Sequence, residues 1–272
     1  AHPPTSSRCS TPVNAAVSNF AGSGASYTFT LTPSADGLFS ATVDAGAFTD
    51  AAGNPNTASN TLSRTADITP PVALLASAAP ELVNGAIAVT ATLSEPATNF
   101  SSNDIARTNC SISNFSGSGV SYTFTLTPSS SGVFSGRVNA GRFTDPVGNS
   151  NVLSNTLSRT ADLVRPTVAL SSASASSVNG PITVNATLSE AATDFDAPDL
   201  PTVNGTVSNF SGAGTAYSFT LTPVAAGTMS ASVAAGRFTD AAGNTNTASS
   251  TLSRTVDLTP PTITLSSSAA AT

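Results

Sequence analysis

One segment of this chain returns three times at a fixed interval, and that interval limits the possible folds more than any compositional feature. SNFAGSGASYTFTLTP at Ser18 recurs as SNFSGSGVSYTFTLTP at Ser113 and as SNFSGAGTAYSFTLTP at Ser208. Phe20, Phe115 and Phe210 stand 95 residues apart, and the same interval relates Tyr27, Tyr122 and Tyr217, Asp50, Asp145 and Asp240, and Arg64, Arg159 and Arg254. No insertion breaks the register. A period of about 20 to 50 residues would signal a solenoid, whose repeats cannot bury a core alone. A copy of 95 residues is the size of a sandwich domain that can, so each copy is expected to fold by itself.

Inside a copy, apolar and polar residues alternate with the period of two that puts one face of a strand in a core. Tyr122, Phe124 and Leu126 alternate with Ser121, Thr123, Thr125 and Thr127, and Phe134, Gly136 and Val138 alternate with Ser135, Arg137 and Asn139. Ile87, Val89, Ala91 and Leu93 keep the same phase, as do Ile182, Val184, Ala186 and Leu188. A first strand is expected at Ala73 and Leu75 and at Val168 and Leu170. A last strand is expected to carry Ala58 and Leu62, Leu153 and Leu157, and Ala248 and Leu252. Gly117 to Gly119, Gly132, and Gly148 with Asn149 read as turns. About seven short strands per copy, with turn signals every 8 to 12 residues or so, predict an all-β chain of tandem immunoglobulin-like antiparallel sandwiches.

Proline marks the joints. Thr69-Pro70-Pro71, Val164-Arg165-Pro166 and Thr259-Pro260-Pro261 restrict φ and keep the preceding residue out of the helical region. The expected units are an incomplete copy over 1–69 that lacks the first strands, complete copies over 70–164 and 165–259, and a first strand of a following copy over 260–272. Short, stiff joints predict units stacked end to end as a rod.

Charge and residue inventory exclude several functions. All nine basic residues are Arg, and a net charge of −6 provides no field to hold a polyanion, so nucleic acid is not expected as a partner. No apolar run approaches the roughly 18 residues of a membrane span, so none is expected in this segment. The one His is His2, there is no Lys, and the glutamates are Glu81, Glu95 and Glu190. Most Asp residues recur at the repeat period, which points to structure, so no enzyme, catalytic residue or required cofactor is expected. Cys9 and Cys110 occupy different places in their copies, which leaves incidental thiols, a bond between chains or a local crosslink.

The strongest polar motif is Asp50 with Gly53, Asn54 and Asn56, repeated at Asp145, Gly148, Asn149 and Asn151 and at Asp240, Gly243, Asn244 and Asn246. It reads as a hairpin in which Asp caps its own loop. It also reads as a calcium site, since a hard cation takes about six to eight oxygens and the loop stands near the linker aspartates Asp67, Asp162 and Asp257. The candidate metal ligands are Asp50, Asn54, Asp67, Asp145, Asn149, Asp162, Asp240, Asn244 and Asp257, with Glu95 and Glu190 as further donors.

The run PTVALSSASASSVNGPITVNATLSEAATDF, with VNGTVSNFSGAG, YSFTLTP, AAGRFTDAAGNTNTAS and TLSRTVD after it, resembles the bacterial Ig-like domains of very large secreted adhesins and biofilm proteins. The resemblance spans Pro70 to Asp257 and the later part of a copy from about Val13 to Asp67. It implies a sandwich fold, an extracellular or cell-surface location, a stalk or filament role, and partners that are neighbouring repeats or subunits and host-cell or matrix surfaces. Calcium stiffening the linkers is implied in the same way. A ligand- or glycan-binding module is the alternative. Two departures matter: the first copy lacks its opening strands, and Ile263 and Leu265 begin a copy that does not follow. These features fit a window cut from a longer array, or a subunit whose last strand completes the first unit of the next subunit.

Overall fold

The structure, a computed structural model, describes residues 11–268, so His2 and Cys9 lie outside the described residues. Unit 1 comprises β1 (Thr11–Val13), β2 (Ala15–Ser23), β3 (Ser26–Pro33), β4 (Gly37–Thr42) and β5 (Leu62–Ala66). Unit 2 comprises β6 (Ala73–Ala76), β7 (Leu82–Val83), β8 (Ile87–Leu93), β9 (Ile105–Thr108), β10 (Cys110–Ser118), β11 (Ser121–Pro128), β12 (Gly132–Val138) and β13 (Leu157–Ala161). Unit 3 repeats that series as β14 (Val168–Ser171), β15 (Ser177–Val178), β16 (Ile182–Leu188), β17 (Thr202–Val203), β18 (Gly205–Ala213), β19 (Ala216–Pro223), β20 (Gly227–Ala231) and β21 (Leu252–Val256).

Each complete unit is a two-sheet sandwich. In unit 2 one sheet runs β10-β11-β8-β6 and the other β7-β13-β12-β9, and unit 3 has β14-β16-β19-β18 and β15-β21-β20-β17. The pairing is antiparallel except for the short parallel contacts of β7 with β13 and β15 with β21. Strand β8 alternates buried and exposed residues along its whole length, as its sequence requires. Its inward residues Ile87, Val89 and Leu93 join Phe124 and Leu126 of β11, and face Phe134, Val138 and Leu157 of the opposite sheet. Phe100, in the connection after β8, packs its ring 5.0 Å from both Tyr122 and Phe143. Phe195 repeats this in unit 3, 5.1 Å from Tyr217 and 4.9 Å from Phe238.

Two strand expectations are corrected. The last strand starts at Leu62, Leu157 and Leu252, leaving Ala58, Leu153 and Ala248 outside it. The reason is side-chain competition for backbone partners just before the strand. Ser154 Oγ accepts the Val138 N–H, and Asn155 pairs through both its amide atoms with the backbone of Leu75 in the other sheet. The glycine run from Gly117 to Gly119 is not wholly a turn, because Gly117 lies in β10, paired with Tyr122. That strand tolerates a bulge at Ser113 to Ser116, where Asn114 takes a φ of 54°.

Unit 1 keeps β2 paired with β3 and a sheet of β1-β4-β5, and has no counterpart of β6, β7 or β8 among the described residues. Strand β3 consequently has an unpaired edge. Its effect on the core is direct: Tyr122 and Phe124 are 6% and 2% exposed, whereas Tyr27 and Phe29 are 36% and 37% exposed. Phe143 at 1% becomes Phe48 at 41%.

Gly117 sits at φ 127°, and a β-carbon there would lie 2.3 Å from Ser121 O and 2.6 Å from Tyr122 Cα. Gly119, at φ 64°, has nothing within 4 Å. Gly117→Ala is therefore expected to destabilise unit 2 by more than about 2 kcal/mol and Gly119→Ala by about 1 kcal/mol. Equal urea midpoints for the two variants would contradict this.

Candidate metal centre

The centre is built on a loop that folds around one aspartate. Asp145 follows β12 and turns back on itself so that Oδ1 accepts the N–H groups of Val147, Gly148 and Asn149, at 3.0, 2.6 and 2.8 Å. Oδ2 accepts the Asn149 side-chain amide at 2.7 Å. The loop closes through an isolated antiparallel bridge between Thr144 and Ser150. Beneath it, buried Asn151 accepts the Arg142 and Phe143 N–H groups on Oδ1 and donates from Nδ2 to Asn139 O and Val152 O. Asp240 and Asn246 repeat the arrangement in unit 3. The capped-hairpin reading of this motif is thus what the chain adopts.

The same loop reaches the linker. Asn149 Nδ2 also donates to Asp67 O at 2.9 Å, and Asn244 Nδ2 to Asp162 O at 2.9 Å. These bonds hold the linker aspartate over the loop. Glutamate completes the group: Glu95 lies two residues beyond the end of β8, where Ser94 exchanges backbone and hydroxyl hydrogen bonds with Val72. One carboxylate oxygen from each of Asp67, Glu95 and Asp145 lies within 4.8 Å of the other two. Asp162, Glu190 and Asp240 form the same triad one period later.

Electrostatics divide the triad. Burial pushes the Glu95 carboxyl above its ordinary value, and the charges of Asp67, Asp145 and Asp36 push it further. Burial raises Glu190 too, with Asp162 and Asp240 adding to it. Burial acts in the same direction on Asp145, but the hydrogen bonds from Asn149, Gly148 and Val147 outweigh it and hold the group below the usual carboxylate range. Glu190 Oε1 is buried with no hydrogen-bond partner. An oxygen in that state is an acceptor awaiting a donor or a cation.

Of the residues the sequence singled out, Asp67, Asp145, Asp162 and Asp240 enter the two triads. Asn149 and Asn244 position them through Nδ2. Asp50 and Asn54 form the capped loop of unit 1 without further acidic partners, and Asp257 caps Thr259 without such partners, among the described residues. Glu95 and Glu190 prove to be full members, marked in the sequence by their own 95-residue spacing. Asp36, beside the first triad, was missed because it recurs in no other copy.

The family model described as bacterial Ig-like domain matches residues 67–161 and again 162–256. The chain belongs to that family. Its two matched stretches each contain one complete triad. Nothing among curated proteins matches the sequence. Among solved structures, the crystal structure of invasin, a bacterial integrin-binding protein, is similar at 13% identity and a TM-score of 0.37, covering 76% of this chain and 44% of that one. The chain thus spans less than half the length of that protein.

Replacing Asn151 with Ala strands two N–H and two C=O groups in a buried loop, so unit 2 is expected to lose about 3 kcal/mol. Asn56→Ala in the more open unit 1 is expected to cost less, and denaturant titration of each unit's transition compares them. The raised glutamates predict a pH effect in chelator. A carboxyl with a raised folded-state pKa binds its proton more tightly folded than unfolded, so its stabilising contribution is full below the ordinary glutamate value of 4.5 and is lost as pH rises through the raised value. Units 2 and 3 are therefore expected to melt higher as pH falls from neutral toward that value. Glu95→Gln and Glu190→Gln are expected to flatten the slope, and a slope unchanged in the double variant would refute the assignment.

Proposed function

We propose that this chain is a segment of an extracellular surface adhesin or filament, in which rigid Ig-like units act as a stalk and calcium at the unit boundaries stiffens it. The observation that carries the reading is the pair of successive family units joined by a few residues, each with its own core and the same acidic triad at the boundary. Such units contribute length and stiffness; each core is independent, so tension or loss of one need not unfold the next. The triad suits a hard divalent cation: its donors are carboxylate oxygens, and nearby backbone carbonyls and water can supply the remaining coordination. Buried Glu190 Oε1, lacking a partner, is the atom most in need of it. Asp67, Glu95 and Asp145 would hold one ion, and Asp162, Glu190 and Asp240 a second.

A finer reading concerns assembly. The unpaired edge of β3, with Tyr27 and Phe29 exposed, is the edge that β8 covers on β11; the alternating segment around Ile263 and Leu265, 86% and 87% exposed and in no strand, would have to stand in β8's place there, since its equivalents pair with β8 and β16. Equivalent residues in units 2 and 3 form β6 and β14. The last segment of one subunit docking on the first unit of the next would bury both surfaces and extend head to tail without closing. It supplies one strand where unit 1 has room for more.

Electron microscopy of the purified chain tests the stalk reading, with straight particles of constant width expected in calcium. Collapsed particles of no fixed shape would sink it. Loss of long fibres on deleting 260–272 is the result expected from strand donation. Calcium is expected to raise the melting midpoints of units 2 and 3 over those in chelator, and Glu190→Gln to abolish the gain in unit 3; identical midpoints with and without calcium would remove the ion.

A further inference from the structure

Two neighbouring strands of unit 2 carry arginines that the other copies lack. Arg107 lies on β9 and Arg137 on β12. Their equivalents one period away are Pro12 and Thr42 in unit 1, and Thr202 and Ser232 in unit 3. Both arginines are exposed, and both border one cleft of about 260 Å³ together with Ala106, Thr108, Ser135 and Thr156.

This cleft has donors without acceptors. Across the ladder Arg107 stands opposite Gly136 and Arg137 opposite Ala106, so neither meets a cross-strand side chain it could bond. Arg159 pairs with Glu81, and Arg165 and Arg254 donate to backbone carbonyls, whereas the Arg107 and Arg137 guanidinium groups have neither kind of partner among the described residues. The hydroxyls of Thr108, Ser135 and Thr156 are likewise free of protein partners among those residues. A chain with 15 acidic and nine basic residues has carboxylates to spare, yet none is placed here. Two like charges on one cleft repel each other, and nothing in the unit offsets them.

We propose that the cleft between Arg107 and Arg137 binds the carboxylate of an acidic saccharide, a uronic acid unit being the simplest case. A guanidinium is a planar fork that bonds both oxygens of a carboxylate, so two of them hold the charge from two sides. Each of the three hydroxyls both donates and accepts, which matches the hydroxyls flanking a sugar's acid group. The volume is below the roughly 300 to 1,000 Å³ of a pocket for a drug-sized ligand, which suits one charged ring. An acidic peptide would also bring carboxylates, but the cleft offers hydroxyls where a peptide's side chains would need pockets of their own. Units 1 and 3 lack both arginines, so recognition is confined to unit 2 while its neighbours serve as spacers. The site is separate from the boundary triads and from the open edge of β3, and it stands or falls without calcium or strand donation.

Tetragalacturonate titrated into the full chain, followed through amide chemical shifts, is expected to move Ala106, Thr108 and Ser135 and to leave Thr202 and Ser230 of unit 3 in place. The neutral maltotetraose is expected not to bind, and tetraglutamate to bind more weakly than the uronate. Arg107→Thr combined with Arg137→Ser installs the residues that unit 3 already carries, so the fold should keep its melting midpoint. That double variant is expected to bind tetragalacturonate more weakly by over about tenfold, the loss of charged hydrogen bonds. Added sodium chloride is expected to weaken binding to the unaltered chain. Equal binding of maltotetraose would overturn the role of the carboxylate, and tighter binding of tetraglutamate would reassign the cleft to a protein partner. Shifts that persist in the double variant, or no shifts in unit 2 at all, would remove the site.

Discussion

The fold of each unit depends on the occupation of both edges of its long central strand. In unit 2, β11 has β10 on one side and β8 on the other, and its alternating aromatic and aliphatic residues are sealed. Unit 1 provides the control within the same molecule, since β3 has β2 beside it and no strand on the other edge among the described residues. Near-identical sequence then gives a different burial state for Tyr27, Phe29 and Phe48. Fully burying one such side chain is worth about 1.5 to 3 kcal/mol, a sizeable share of the roughly 5 to 15 kcal/mol that holds a domain together. Strand β8 is therefore a principal source of unit 2's stability, as β16 is of unit 3's, and the exposed aromatics of unit 1 lie where no such strand covers them among the described residues.

The same strand positions the acidic triad. Its last buried residue, Leu93, ends the ladder, and Glu95 follows at the pole where the linker enters. Asp145 arrives from the opposite sheet on a loop whose backbone hydrogen bonds keep it charged, and Asp67 arrives on the linker, held by Asn149. Three like charges thus converge because each is fixed by a different structural need. Only Glu95 lacks such compensation, which is why its proton affinity rises while that of Asp145 falls. A cation would resolve that conflict at both boundaries by the same chemistry.

The fold was largely legible because its signals are local or periodic. Alternation located β8, β11 and β12 and their counterparts, and the 95-residue spacing is also the interval between the two matched stretches, 67–161 and 162–256. What escaped was non-local. Strand β10 hides its pairing behind Gly117 and Asn114, residues whose positive φ serves a bulge and a close approach that only the partner strand reveals. The beginning of β13 is set by Ser154 and Asn155, whose side chains bind backbone in other strands. The triads were half visible: the aspartates stood out through the loop motif, whereas Glu95 and Glu190 seemed peripheral until the end of β8 brought them to the same pole.

The repeat also shows where this molecule has room to vary. Much of the interior matches, Phe100 with Phe195 and Tyr122 with Tyr217, and where it changes the replacement stays apolar, Phe134 becoming Met229 and Ile105 becoming Leu200. Joints do not match: Asp36 becomes Ser131, and Pro70 becomes Arg165. A joint residue touches two units without belonging to either core, so its replacement changes how units meet and leaves each fold intact. In a tandem array, differences between one boundary and the next are therefore carried by a few polar side chains at the joints, while the acidic triad is common to both.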